Sequence, residues 1–141
     1  MTRREAGLLL PALAGAAAAQ AAPADPATLP SLTKRFEDLP VKVNAQNRSR
    51  DVLDGLTHTG YHIDMHQTEL APGLAPHAPH EHEHEEMVMI REGELEVTID
   101  GKVSRAGPGG TIYVASMQHH GWRNVSKVQA HYFVIALGRK K

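Results

Sequence analysis

The sequence predicts an all-β domain closed as a small sandwich or barrel, and three observations carry that prediction. Beyond Val41 the chain breaks into short segments, alternating at period 2 or continuously apolar, separated by Gly, Pro and Asp turns. No segment carries the 3.6-residue periodicity of an amphipathic helix. Within one block Leu95, Val97 and Ile99 alternate with Glu94, Glu96 and Thr98, and Asp100-Gly101 follows. That dipeptide suits a two-residue hairpin turn, which needs positive φ at both central positions. The predicted strands cover residues 41–44, 51–58, 61–71, 80–91, 94–99, 102–106, 111–114, 119–124 and 129–137. So many short strands with only 4% aromatic residues enclose one small core only as a sandwich or barrel.

Composition narrows the function. The chain has 141 residues, with 15 Lys and Arg against 16 Asp and Glu, so it forms one domain and offers no basic face to a nucleic acid. It has no cysteine, which excludes disulfides, thiolate metal sites and cysteine nucleophiles. It has 10 histidines, six of them in two tight groups: His77, His80, His82 and His84, then His119 and His120.

The first segment has an export layout. Arg3 and Arg4 precede an uncharged Leu/Ala-rich run over 6–19, too short to span a bilayer, and small residues follow. Residues 1–21 are therefore expected to be a signal peptide, with cleavage near Ala19-Gln20-Ala21 or Ala17-Ala18-Ala19. Thr2-Arg3-Arg4 resembles the twin-arginine export signal. The expected destination is the periplasm or the exterior of a bacterium-like cell, with no membrane attachment after signal removal. Residues 22–40, rich in Pro and Ala, are expected to be a linker with at most one helical turn around 32–38. Residues 41–141 form the barrel.

The histidine groups carry the chemistry. If residues 80–91 form one extended strand, His80, His82, His84 and Glu86 project to one face. Imidazoles and a carboxylate at this spacing suit one divalent transition metal: Fe, Mn, Ni, Cu or Zn. His120, in a second apolar segment, supplies a further nitrogen if that segment lies across the barrel. A solvated His/Glu-rich loop that binds metal adventitiously is the competing reading. Against it, the polar run passes directly into Met87, Val88, Met89 and Ile90, which read as buried strand.

These residues resemble the cupins, whose two motifs are G(X)5HXH(X)3-4E(X)6G and G(X)5PXG(X)2H(X)3N. His80-x-His82, three residues, Glu86, six residues and Gly93 match the first from its first His to its last Gly. From Gly109, His120 and Asn124 fall in the His and Asn slots of the second, while Ala115 and Met117 replace its Pro and Gly. Gly73 lies one residue too far out for the first Gly slot. The resemblance spans roughly residues 50–137 and implies a single-domain jelly-roll barrel. It also implies metal binding by His80, His82, Glu86 and His120, with two coordination positions left for water or substrate.

His84 and His119 then stand beside the ligands, and His77 is expected in a loop. Trp122, two residues past His120, shares its inward face in a regular strand and would wall a pocket with Val88, Ile90 and Met117. His62, Asp64 and His66 alternate on one face of the 61–71 segment, from which one could enter the barrel as an acid or base. The opposite face carries Ile63 and Met65, apolar residues that argue for the reverse orientation. Tyr132, His131 and Arg91 are weaker candidates, and the first two cannot both face inward.

Three functions stay open: a small mononuclear metalloenzyme of dioxygenase, isomerase or lyase type acting on a small organic molecule, a non-catalytic cupin binding a sugar or organic acid through its metal, and periplasmic metal handling. The expected partners are a small ligand or substrate and, because edge strands invite pairing, a second copy in a homodimer.

Overall fold

A computed structural model describes residues 28–44 and 47–139. The expected signal peptide and the first part of the expected linker lie outside these residues. Among the described residues no helix is long and apolar enough to cross a membrane. The described residues form nine strands: β1 (Val41–Val43), β2 (Asn47–Leu56), β3 (Tyr61–Leu70), β4 (Glu85–Glu92), β5 (Leu95–Ile99), β6 (Lys102–Ala106), β7 (Thr111–Val114), β8 (His120–Asn124) and β9 (Ala130–Arg139). Two antiparallel sheets result, one of six strands in the order β1-β2-β3-β9-β4-β7 and one of three in the order β6-β5-β8. This is the expected jelly-roll layout.

The core lies between the sheets because the alternating faces meet there. Leu70, Val88, Ile90, Val114, Tyr132 and Val134 come from the large sheet, and Leu95, Val97 and Trp122 from the small one. Each fully buried aliphatic side chain contributes roughly 1.5–3 kcal/mol. The Asp-Gly prediction holds: Asp100 (φ 46°) and Gly101 (φ 80°) turn the chain between the paired Ile99 and Lys102.

Two strand starts differ from the sequence reading by four residues or more, and the other boundaries by at most two. β2 starts at Asn47, four residues before the expected start. β4 starts at Glu85, so residues 80–84 are not strand, and the expected extended run from His80 to Glu86 does not exist. The reason is where the backbone hydrogen bonds go. His80 exchanges both of its backbone bonds with His120 of β8, at 2.9 and 2.8 Å, and the His82 carbonyl accepts from Met117 N–H at 2.8 Å. The segment therefore bonds to the small-sheet side of the barrel before β4 joins the large sheet.

Residues 28–40, expected to be a linker, hold a 3-10 turn at Phe36–Asp38 and lie on the outer face of the large sheet. Leu29 N–H donates to Leu56 O, Leu39 is buried, and the Arg50 guanidinium sits 4.2 Å over the Phe36 ring.

Gly93, the last glycine of the first motif, shows why no other residue fits. Its φ is +78°, and an added Cβ would stand 2.7 Å from Ala130 Cα. A Gly93→Ala variant is expected to lose about 2–4 kcal/mol of stability from strained backbone and overpacking, measured by urea unfolding.

Candidate metal centre

His120 opens β8 and is fully buried, while His80 and His82 stand on the segment between β3 and β4. The His80–His120 bridge brings that segment against β8, and Gly121 permits it: a Cβ there would lie 3.0 Å from the Pro79 ring. Asn124, at the other end of β8, fastens the start of the same segment. Its amide donates to Leu70 O and Val128 O, and its backbone exchanges bonds with Gly73 and Leu74. The Asn slot of the second motif is thus a structural clamp.

The turn before His120 keeps its shape without the family's Pro and Gly. Met117 takes the left-handed φ of 62° that a glycine would hold freely. Gln118 then reaches back, its Oε1 accepting from Ala115 N–H and its amide donating to Asp100 Oδ2, while Asp100 Oδ1 accepts from His119 N–H.

His80, His82 and His120 come together, with ligand atoms within 4.8 Å of one another, and as a group could hold a metal ion. Their tautomers follow from their partners. Nδ1 of His80 faces Ala78 O at 3.2 Å, that of His82 faces His84 O at 2.8 Å, and that of His120 faces Gln118 O at 2.8 Å. A carbonyl only accepts, so each Nδ1 donates and each neutral ring presents Nε2 as a bare lone pair.

Glu86, at the buried end of β4, aims Oε2 at the same point, 3.0 Å from His120 Nε2 and 3.4 Å from His82 Nε2. His82 Nε2 is buried with no hydrogen-bond partner. Converging lone pairs and a carboxylate oxygen repel unless a cation sits among them, so this donor set fits a divalent ion.

The remaining candidates separate cleanly. The His84 ring stacks on His82, with centroids 3.6 Å apart, and supports that ligand from the side. His119 is exposed, and His77 is an exposed loop residue packed edge-on against His80 and Trp122. Trp122 is buried and its Nε1–H donates to Tyr132 Oη at 3.1 Å. Burial pushes the Tyr132 phenol up to about 12, so it stays protonated. His131 faces the opposite side of β9, bonded to Gln67, as the alternation requires. Arg91 is exposed beside Glu92.

Two cavities adjoin the histidines. An inner one of about 350 Å³ is lined by Trp122 and Tyr132 among polar residues that include Lys42, Asn47, Ser49, Asp51 and Thr68. An outer one of about 1240 Å³ is lined by His62, Asp64, His84, Glu83 and the small residues Ala136 and Gly138. His66 and Glu86 line both. Val88 and Ile90, expected as pocket walls, lie wholly in the core and line neither cavity, and Met117 is exposed. Ile63 and Met65 do not enter the core: His62, Asp64 and His66 share the inward face of β3 with the buried Thr68 and Leu70. The inner polar lining was missed because β2 was started at Asp51; begun at Asn47, the alternation Asn47, Ser49, Asp51 marks that face.

The family model Cupin_2, a cupin domain, matches residues 66–136, half of the chain. An RmlC-like cupin from Shewanella frigidimarina superposes with a TM-score of 0.64 at 16% identity, over 79% of this chain and 95% of that one. The Cupin_2 domain of an XRE-family transcriptional regulator from Enterobacter cloacae gives 0.56 at 26%, over 68% and 99%. The polyketide cyclase RemF from Streptomyces resistomycificus gives 0.60 at 18%, over 78% and 87%. No curated protein sequence gives a significant match.

Burial holds His80, His84 and His131 below the ordinary histidine value of 6.5. The unfolded chain therefore takes up protons near pH 6.5 that the folded one refuses, so stability is full above that pH and declines as pH falls below it. The urea midpoint of the metal-free protein is expected to drop between pH 7.5 and 5.5; a flat midpoint contradicts this.

Proposed function

This chain belongs to the Cupin_2 family of cupin domains, and from that membership we propose an exported, mononuclear metalloenzyme acting on a small organic molecule. Its ligands are His80, His82, Glu86 and His120, and its metal is one divalent ion of Fe, Mn, Ni, Cu or Zn. The observation that carries the reading is the convergence of carbonyl-locked imidazoles on Glu86 Oε2, with His82 Nε2 buried and partnerless, beside cavities large enough for a small ligand.

A bound ion supplies a Lewis acid that polarises an oxygen of the ligand or activates water. The chain's own groups do the rest. Ala78, His84 and Gln118 carbonyls fix the tautomers, and the His84 ring holds His82 in plane. Trp122 and the protonated Tyr132 wall the inner cavity, where their hydrogen bond keeps the indole from turning. The N-terminal arginine pair and apolar run support export before this chemistry is used.

Elemental analysis of the untagged protein beside its His120→Ala and His84→Ala variants tests the proposal. The wild type and His84→Ala are expected to carry about one equivalent of a single metal, and His120→Ala to lose it. Substoichiometric mixed metals, unchanged in His120→Ala, would mean that the His/Glu run binds metal adventitiously and that the mononuclear site does not exist.

A further inference from the structure

The strand register carries one inference further, and it rests on the metal reading above. Across the large sheet β3, β9 and β4 align in rows. Thr68, Tyr132 and Ile90 form one, His66, Val134 and Val88 the next, and Asp64, Ala136 and Glu86 the third. His62 pairs with Gly138 beyond them. Ala136 is too short to fill the space above β9, and His84 comes down over Gly138, so the inward face between β3 and β4 is a trough floored by Ala136 and closed at one end by His84. It is lined by His62, Asp64 and His66 on one side and by His84, Glu85 and Glu86 on the other. Strands two apart are separated by roughly 10 Å, the span of a small organic molecule.

Within that trough His66 Nδ1 lies 3.3 Å from Asp64 Oδ1. The carboxylate accepts, so Nδ1 donates and Nε2 is the ring's proton-accepting atom. His62, on the same wall, is engaged by Asp54 at 2.8 Å. His131, which is buried on this sheet, faces outward.

We propose that His66, oriented by Asp64, is the proton-transfer residue of the site, facing the metal ligands across the trough. Nε2 takes a proton from an O–H or C–H of the bound molecule, whose bonding pair stays on that oxygen or carbon. The ring becomes imidazolium beside the Asp64 carboxylate, and the proton returns to the product, so no co-reactant is needed. The substrate class is a small molecule that offers an oxygen to the ligand side and an acidic hydrogen to the β3 side.

The test is nitrogen-15 NMR on histidine-labelled full chain, metal-free and loaded with Zn2+ or Co2+, with Asp64→Asn and His120→Ala beside it. At pH 8 His66 is expected to carry its proton on Nδ1, and in Asp64→Asn to move to the Nε2–H form. Co2+ is expected to displace the His66 ring signals relative to Zn2+, to displace those of His131 much less, and to do neither in His120→Ala. An Nε2–H tautomer in the wild type, or His66 signals alike with Co2+ and Zn2+ at full metal uptake, overturns the assignment of His66 alone. Failure of the wild type to take up stoichiometric Zn2+ or Co2+ overturns the metal reading and this inference together.

Discussion

Glu86 Oε2 lies 3.0 Å from His120 Nε2 and 3.4 Å from His82 Nε2, and each ring donates its Nδ1–H to a backbone carbonyl. With both rings neutral, acceptor faces acceptor in a buried pocket, an arrangement that a cation among them relieves and that the barrel has to hold in place. Much of the local structure answers to this constraint. The two-way bridge between His80 and His120 staples the ligand segment to β8, and Gly121 gives it room. Asn124 fastens the far end of the segment, and Asp100, itself at a left-handed turn position, fastens the turn before His120. Metal sites depend on this outer layer of carbonyls and clamps as much as on the ligands.

The strands were legible because alternation, turn dipeptides and the absence of helical period all agreed, and every predicted strand has a counterpart. Legibility ended where long-range pairing decides. Nothing local says that His80 pairs with His120 forty residues on rather than continuing β4, so one extended face was read where the chain crosses between sheets. His80, His82 and Glu86 meet despite that error, because motif spacing encodes the site and not the strand. Met65 and Ile63 misled for a related reason. Hydropathy alone favours them as core, but Thr68 and Leu70 downstream already fix which face of β3 turns inward, and residues 28–40 cover part of the other face.

The fold alone does not choose a chemistry. A domain of a transcriptional regulator and a polyketide cyclase share this barrel with the present chain. Two cavities of this chain differ in what they present beside one carboxylate, Glu86. The inner one offers amide and hydroxyl groups together with a Lys42–Asp51 ion pair that cancels its own charge. The outer one offers carboxylates and imidazoles. Both contain His66 and Glu86, so these two residues border the two spaces together.

The core is one-ended for the same reason. Read along β9 in the direction of the chain, the inward side chains shrink from Tyr132 through Val134 and Ala136 to Gly138. Alongside, β3 runs from Leu70 and Thr68 to His66, Asp64 and His62, and β4 from Ile90 and Val88 to Glu86. Three neighbouring strands therefore change in register from large and apolar to small or ionisable. At one end they interlock with Leu95, Val97 and Trp122 of the small sheet as a close-packed interior. At the other, His84 packs over Gly138 while the short Ala136 leaves space between β3 and β4, and that space is the trough. Stability and function are divided by position along shared strands: truncating Val88 or Val134 would cost packing, whereas enlarging Ala136 would fill the trough between Asp64 and Glu86 and leave the packed end untouched.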